Sequence, residues 1–161
     1  MENYIQLKRE DILKVGIKDE NGNDPGEYLE FDLQDMTMPL RLQQLEEEHK
    51  KNLNFYKMKS AIIDKKEDKV GKKLLSSNEE ERLKLLLEFF DREIKTLDLF
   101  LGEGGTMKIL NGRKPYFSMF NDIIEALEPV LPLFKQGYEN VKNRIVAKYS
   151  INEEDNTLEV K

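Results

Sequence analysis

Glu46-Glu47-Glu48-His49 sets a carboxylate and an imidazole three residues apart. On a helix that spacing puts both on one face, as in carboxylate di-iron bundles. Such a centre needs a second Glu-x-x-His and further inward carboxylates, and His49 is the only histidine of the chain. The alternative places His49 at the margin of an apolar stripe, hydrogen-bonded or partly wet. Gly102-Glu103-Gly104-Gly105-Thr106 is the other stretch with chemical potential, because backbone N–H groups at a helix start can bind anions. It lacks the Gly-Lys-Ser/Thr ending of a phosphate loop and follows no strand, and Glu103 would repel phosphate. A helix stop followed by a helix start accounts for its glycines. No serine lies in a Gly-x-Ser-x-Gly turn, and the absence of cysteine excludes disulfides, thiolate zinc sites and cysteine nucleophiles. The reading is a protein that is not an enzyme, with no catalytic residue, metal ligand or cofactor assigned.

Composition narrows the partners. Charged residues make up 36% of the 161 and hydrophobic ones 39%, a balance that suits helices with an apolar stripe and a wide wet face. The net charge is −6, so displacing counterions from nucleic acid phosphates is a poor fit. The basic cluster Lys65, Lys66, Lys69, Lys72 and Lys73 is interrupted by Glu67 and Asp68 and reads as a solvated helix end. No run approaches the length of a membrane span, and Met1-Glu2-Asn3-Tyr4 lacks the basic and apolar segments of a secretory leader. Neither a nucleic acid nor a membrane partner is expected, and the expected location is the cytoplasm.

The elements that must position any site follow from periodicity. Residues 11–34 read as a β-hairpin. Ile12, Leu13, Val15 and Ile17 precede the turn-forming run Asp19 to Gly26, and Leu29, Phe31 and Leu33 then alternate on one face. A first helix is expected from Thr37–Leu40, with Leu42, Leu45, His49, Leu53, Tyr56, Ser60 and Ile63 sharing a face. A second starts at a Ser77 or Asn78 cap and carries the stripe Leu83, Leu86, Leu87, Phe90, Ile94, Leu97 and Leu101, widened by Leu85, Phe89 and Phe100. After Gly102–Gly105 comes a short helical turn, Thr106 to Leu110. A third long segment runs from Tyr116 to Tyr149 with a seam of Phe117, Phe120, Ile124, Leu127, Leu131, Phe134, Tyr138, Val141 and Ile145. Pro129 and Pro132 must kink or break it between Glu128 and Pro132. The residues beyond Pro132 are amphipathic, with little to tie them to the rest, and Asn152–Lys161 reads as a frayed polar end.

Two stretches resemble a known family. One is Phe31-Asp32-Leu33-Gln34-Asp35 leading into a charged helix. The other is Leu87-Glu88-Phe89-Phe90-Asp91, followed by Leu99 to Arg113 with Gly102-Glu103-Gly104-Gly105-Thr106 at its centre, and by Ile124-Glu125-Ala126-Leu127-Glu128-Pro129. Together they resemble small tail assembly chaperone-like proteins of long-tailed phages and prophages of Gram-positive bacteria. The resemblance covers roughly residues 27–134. It departs from the family pattern in the extra glycine after Glu103, in Leu110-Asn111 where an aromatic is common, and in the longer helical extension after Pro132. It implies a non-enzymatic factor that coats the tape-measure protein and helps recruit tail-tube subunits.

The expected architecture is therefore α+β and mainly α: an N-terminal β-hairpin, three main helices and a kinked C-terminal helical extension. Residues 1–134 form one domain and 135–161 an extension and tail. The expected function is protein binding, as a tail assembly chaperone. The alternatives are a structural component of the tail or connector and, third, a metal-dependent enzyme centred on His49. Leu131, Phe134, Tyr138, Val141 and Ile145 are the expected interaction residues. The expected partners are the tape-measure protein, the tail-tube protein and further copies of the chain.

Overall fold

The computed structural model describes residues 2–149. The fold is α+β and mainly α. Strands β1 (Ile12–Gly16) and β2 (Tyr28–Asp32) precede helices α1 (Met38–Asp64), α2 (Ser77–Leu101), α3 (Gly105–Leu110), α4 (Met119–Leu127) and α5 (Leu131–Tyr149). The chain divides into two compact units, residues 2–40 with 127–149, and residues 41–126. No helix among the described residues is long and apolar enough to cross a membrane.

In the first unit the strands pair antiparallel, with Leu13 opposite Phe31 and Val15 opposite Leu29. These four share the inner face, because side chains alternate across a pleated strand. Leu29 and Phe31 are buried, whereas Leu13 and Val15 are half-buried. A two-stranded hairpin is marginal alone, and α5 supplies the missing cover. Phe134 meets Phe31 edge-on at 5.1 Å between centroids, and Gly137 passes so close that a Cβ there would lie 2.5 Å from the Leu33 carbonyl oxygen. The segment expected to be weakly tied beyond Pro132 is thus docked at its start, and the expected 134/135 boundary falls inside α5. The expected break appears as residues 128–130 between α4 and α5. Pro132 is the second residue of α5, where a missing amide hydrogen costs no helical bond.

In the second unit α1 and α2 are neighbours, and α3 and α4 complete a core around Phe89, Phe90, Leu110 and Met119. Tyr56, Phe89 and Phe117 pack ring to ring at 5.1–5.5 Å. On α4 the buried residues within this unit are Met119, Phe120 and Ile123. Phe117 is 49% exposed, so the expected seam is rotated at its start.

The connection from α1 to α2 is closed by polar side chains. Ser76 caps α2, its hydroxyl accepting from the Glu79 N–H at 3.2 Å. Ser77 and Asn78, the expected caps, serve the connection instead. The Ser77 hydroxyl accepts from the Lys69 N–H at 2.8 Å. The Asn78 side-chain amide donates to the Ile63 and Lys66 carbonyls, which ties the start of α2 to the end of α1 and the turn beyond it. Asp68 accepts from the Asn78 N–H at 3.0 Å, and this bond holds its carboxyl below the ordinary value of 3.8.

Two outcomes follow. Gly137→Ala gains about 1 kcal/mol of helix propensity but loses more, about 1–3 kcal/mol, by pressing on the Leu33 backbone. Urea unfolding should therefore show a net destabilisation, and a stabilised variant would contradict the close approach. A depressed carboxyl stabilises above its ordinary pKa and loses that contribution as pH falls through the depressed value. The protection factor of the Asn78 amide, its exchange relative to an unstructured peptide at the same pH, should thus be flat above 3.8 and fall only below it. In Asp68→Ala it should be low throughout.

Candidate functional site

The core face of α2 contains polar residues. Leu85, Phe89, Glu93, Thr96, Leu97 and Phe100 are all buried, and Glu93 and Thr96 sit among apolar neighbours at helical spacing. Glu93 is 0% exposed. Facing it on α1 are His49 and Asn52, one helical turn apart. His49 Nδ1 lies 2.6 Å from Glu93 Oε2, a hydrogen bond in which Nδ1–H donates when Glu93 is a carboxylate. The Asn52 amide donates to Glu93 Oε1 at 2.6 Å and to Thr96 Oγ1 at 3.0 Å. The His49 ring stacks on Phe120 of α4, with centroids 3.9 Å apart and planes 2° from parallel. Both carboxyl oxygens are satisfied, and no buried side-chain nitrogen or oxygen among the described residues lacks a partner. Burying a carboxylate is costly, and partners on both oxygens are what make it tolerable.

This arrangement decides the fate of the Glu-x-x-His motif. His49 points inward to Glu93, while Glu46 lies exposed and pairs with Lys50 at 3.7 Å. The two motif residues do not converge. Among the described residues, no three His, Asp or Glu side chains form a group that could hold a metal ion. The helix spacing that suggested a shared face was correct only in part: His49 is on the margin of that face and Glu46 beyond it.

The glycine-rich turn also resolves. Gly102 and Gly104 adopt positive φ of 90° and 75°, conformations that favour glycine. The amides that start α3 are occupied by a side chain of the same chain. Asp98, one turn before the end of α2, accepts from the Thr106 N–H at 2.9 Å, from the Thr106 hydroxyl at 2.7 Å and from the Gly104 N–H at 3.2 Å. An internal carboxylate thus fills the anion position, and the stretch is a stop followed by a start.

The expected interaction residues on α5 fall into two groups. Phe134 is buried against Phe31, so its ring serves the chain's own core and is not presented to a partner. Leu131, Tyr138, Val141 and Ile145 are half-buried. The reason is register: Phe134 and Gly137 hold the contact with the hairpin, and the next residues on that side are only partly covered. Sequence periodicity also missed an outward pair. Leu83 and Leu87 lie in the expected buried stripe of α2, yet they are 48% and 63% exposed. Met58 and Ile62 of α1, again four residues apart, are 69% and 53% exposed. With Glu93 and Thr96 inside, the buried face of α2 turns towards Leu85, Phe89 and Phe100, and Leu83 and Leu87 are left outside. The signal in the sequence was the four- and three-residue spacing that sets Glu93 and Thr96 in line with Leu85 and Phe89.

No protein-family model, curated protein or solved structure matches this chain.

The network makes a quantitative demand. His49→Ala leaves one oxygen of a fully buried carboxyl without a partner, at a cost of about 1–3 kcal/mol. His49→Ala combined with Glu93→Ala should cost less than the two single changes added together, by about 0.5–3 kcal/mol. Urea unfolding of the four proteins measures this, and strict additivity would show that the pair carries no coupling.

Proposed function

We propose that the chain is a non-enzymatic protein-binding factor, a phage or prophage tail assembly chaperone whose partner is the helical tape-measure protein. The observation that carries this reading is the apolar row on α5. Tyr138, Val141 and Ile145 continue the spacing of Phe134 past the point where the hairpin is gripped, and their own chain covers them only in part. An amphipathic helix of a partner can lie along such a row, reading it as anchors at three- and four-residue steps. The outward pairs Leu83–Leu87 and Met58–Ile62 offer similar short stripes in the second unit. Contacts of this size are individually weak, and many copies along one rod-like partner would hold it by multivalency.

The sequence resemblance supports the same reading. Its most specific piece, Gly102–Gly112, corresponds to the junction in which Asp98 joins the end of α2 to the start of α3. The net charge of −6 suits a factor that keeps an apolar partner in solution without itself aggregating.

The test is co-expression with a phage tape-measure protein, followed by affinity capture. Val141→Asp with Ile145→Asp should reduce capture by about tenfold or more, while circular dichroism stays that of the parent. Undiminished capture would remove α5 from the interface. Failure of the parent chain to capture the tape-measure protein would remove the function.

A further inference from the structure

Residues 2–10 form an arm with no helix or strand, and its apolar side chains touch little. Tyr4, Ile5 and Leu7 are 81%, 96% and 90% exposed. Ile5 and Leu7 are two apart, the spacing that places both on one face of a strand. The adjoining sheet has only two strands, and among the described residues β1 pairs with β2 alone. Its inner face is unevenly covered: Leu29 and Phe31 on β2 are buried, while Leu13 and Val15 on β1 are half-buried. A strand added beyond β1 would bring two apolar side chains to the side of Leu13 and Val15 that lacks cover. An open strand edge of this kind is a template for backbone pairing.

We infer that residues 4–8 of one copy add as a third strand to the outer edge of β1 in a second copy, and that the exchange is reciprocal. The arm does not take that place in its own chain. Asp11 has a φ of 56°, and its carbonyl accepts from the Leu33 N–H at 3.0 Å, so the strand ladder continues through it. Arg9 then pairs with Glu30 of β2 at 3.4 Å, which leads the arm towards β2 and away from the outer edge of β1. The chain thus carries an uncovered apolar strand and an uncovered apolar edge that do not meet within it, and a second copy supplies each with its complement. Backbone hydrogen bonds give the pairing and Ile5 and Leu7 its register. Two identical exchanges make a closed two-fold dimer.

The chain has no cysteine, so engineered ones report cleanly. Gln6→Cys with Lys14→Cys puts one thiol on the arm and one on the outer face of β1, on the side away from Ile5 and Leu7. Mild oxidation of this full-length variant should give a cross-linked band with the mass of two chains on a non-reducing gel. A purely intramolecular link, or no link, overturns the exchange, the first because the arm then folds on its own β1. Light scattering of the unsubstituted chain should give the mass of two chains. Ile5→Asp with Leu7→Asp should shift it to that of one, with unchanged circular dichroism. A monomeric parent, or a dimer indifferent to these two changes, overturns the proposal.

Discussion

A carboxyl group that no water reaches has to find its hydrogen bonds from the protein, and in this chain that requirement fixes how α1 meets α2. Glu93 sits 0% exposed between His49 and Asn52, with Thr96 sharing the Asn52 amide and Phe120 closing over the imidazole. Apolar packing alone tolerates a helix turned slightly either way, because one hydrophobic side chain can replace another at little cost. A buried carboxyl group does not tolerate it, since any turn that separates Glu93 from its partners leaves a polar group unsatisfied. The network therefore sets the rotation of α2. Everything that α2 presents inwards, from Leu85 to Phe100, and outwards, including Leu83 and Leu87, follows from that one alignment.

A second carboxylate does comparable work at the far end of the same helix. Asp98 draws the Gly104 and Thr106 amides onto itself and so begins α3 where α2 stops. A third, Asp68, holds the connection before α2. An acidic chain thus uses several of its carboxylates as internal hydrogen-bond acceptors at helix junctions. Such junctions leave the long helix faces to be decided by apolar residues, and these faces are only partly covered by the chain itself. The reading as a binding factor rests on that incompleteness in α5, in the outward pairs of α1 and α2, and in the edge of β1.

Much of the architecture was legible in the sequence because local rules governed it. The hairpin could be read from alternation around Leu29, Phe31 and Leu33, and the break before α5 from Pro129 and Pro132. The stop and start at Gly102–Gly105 could be read from glycine alone. The face of α2 could not. Periodicity assigns polar residues to water, so Glu93 and Thr96 pulled the expected stripe towards Leu83 and Leu87, and only the partners on α1 reveal why they are inside. The cap shifted from Ser77 or Asn78 to Ser76 for a related reason: each of the three has a capping side chain, and tertiary contacts to Lys69 and to the end of α1 decide which one caps. On α5 the spacing predicts one apolar row but cannot divide it into Phe134, which packs on the hairpin, and Val141 and Ile145, which are half-buried.

The claim that a buried Glu93 sets the rotation of α2 is tested most directly by hydroxyl-radical footprinting of the chain in solution, read residue by residue along that helix. Leu83 and Leu87 should oxidise readily, while Leu85 and Phe89 are shielded. Shielded Leu87 beside a reactive Leu85 would mean that α2 is turned the other way and that Glu93 does not hold it.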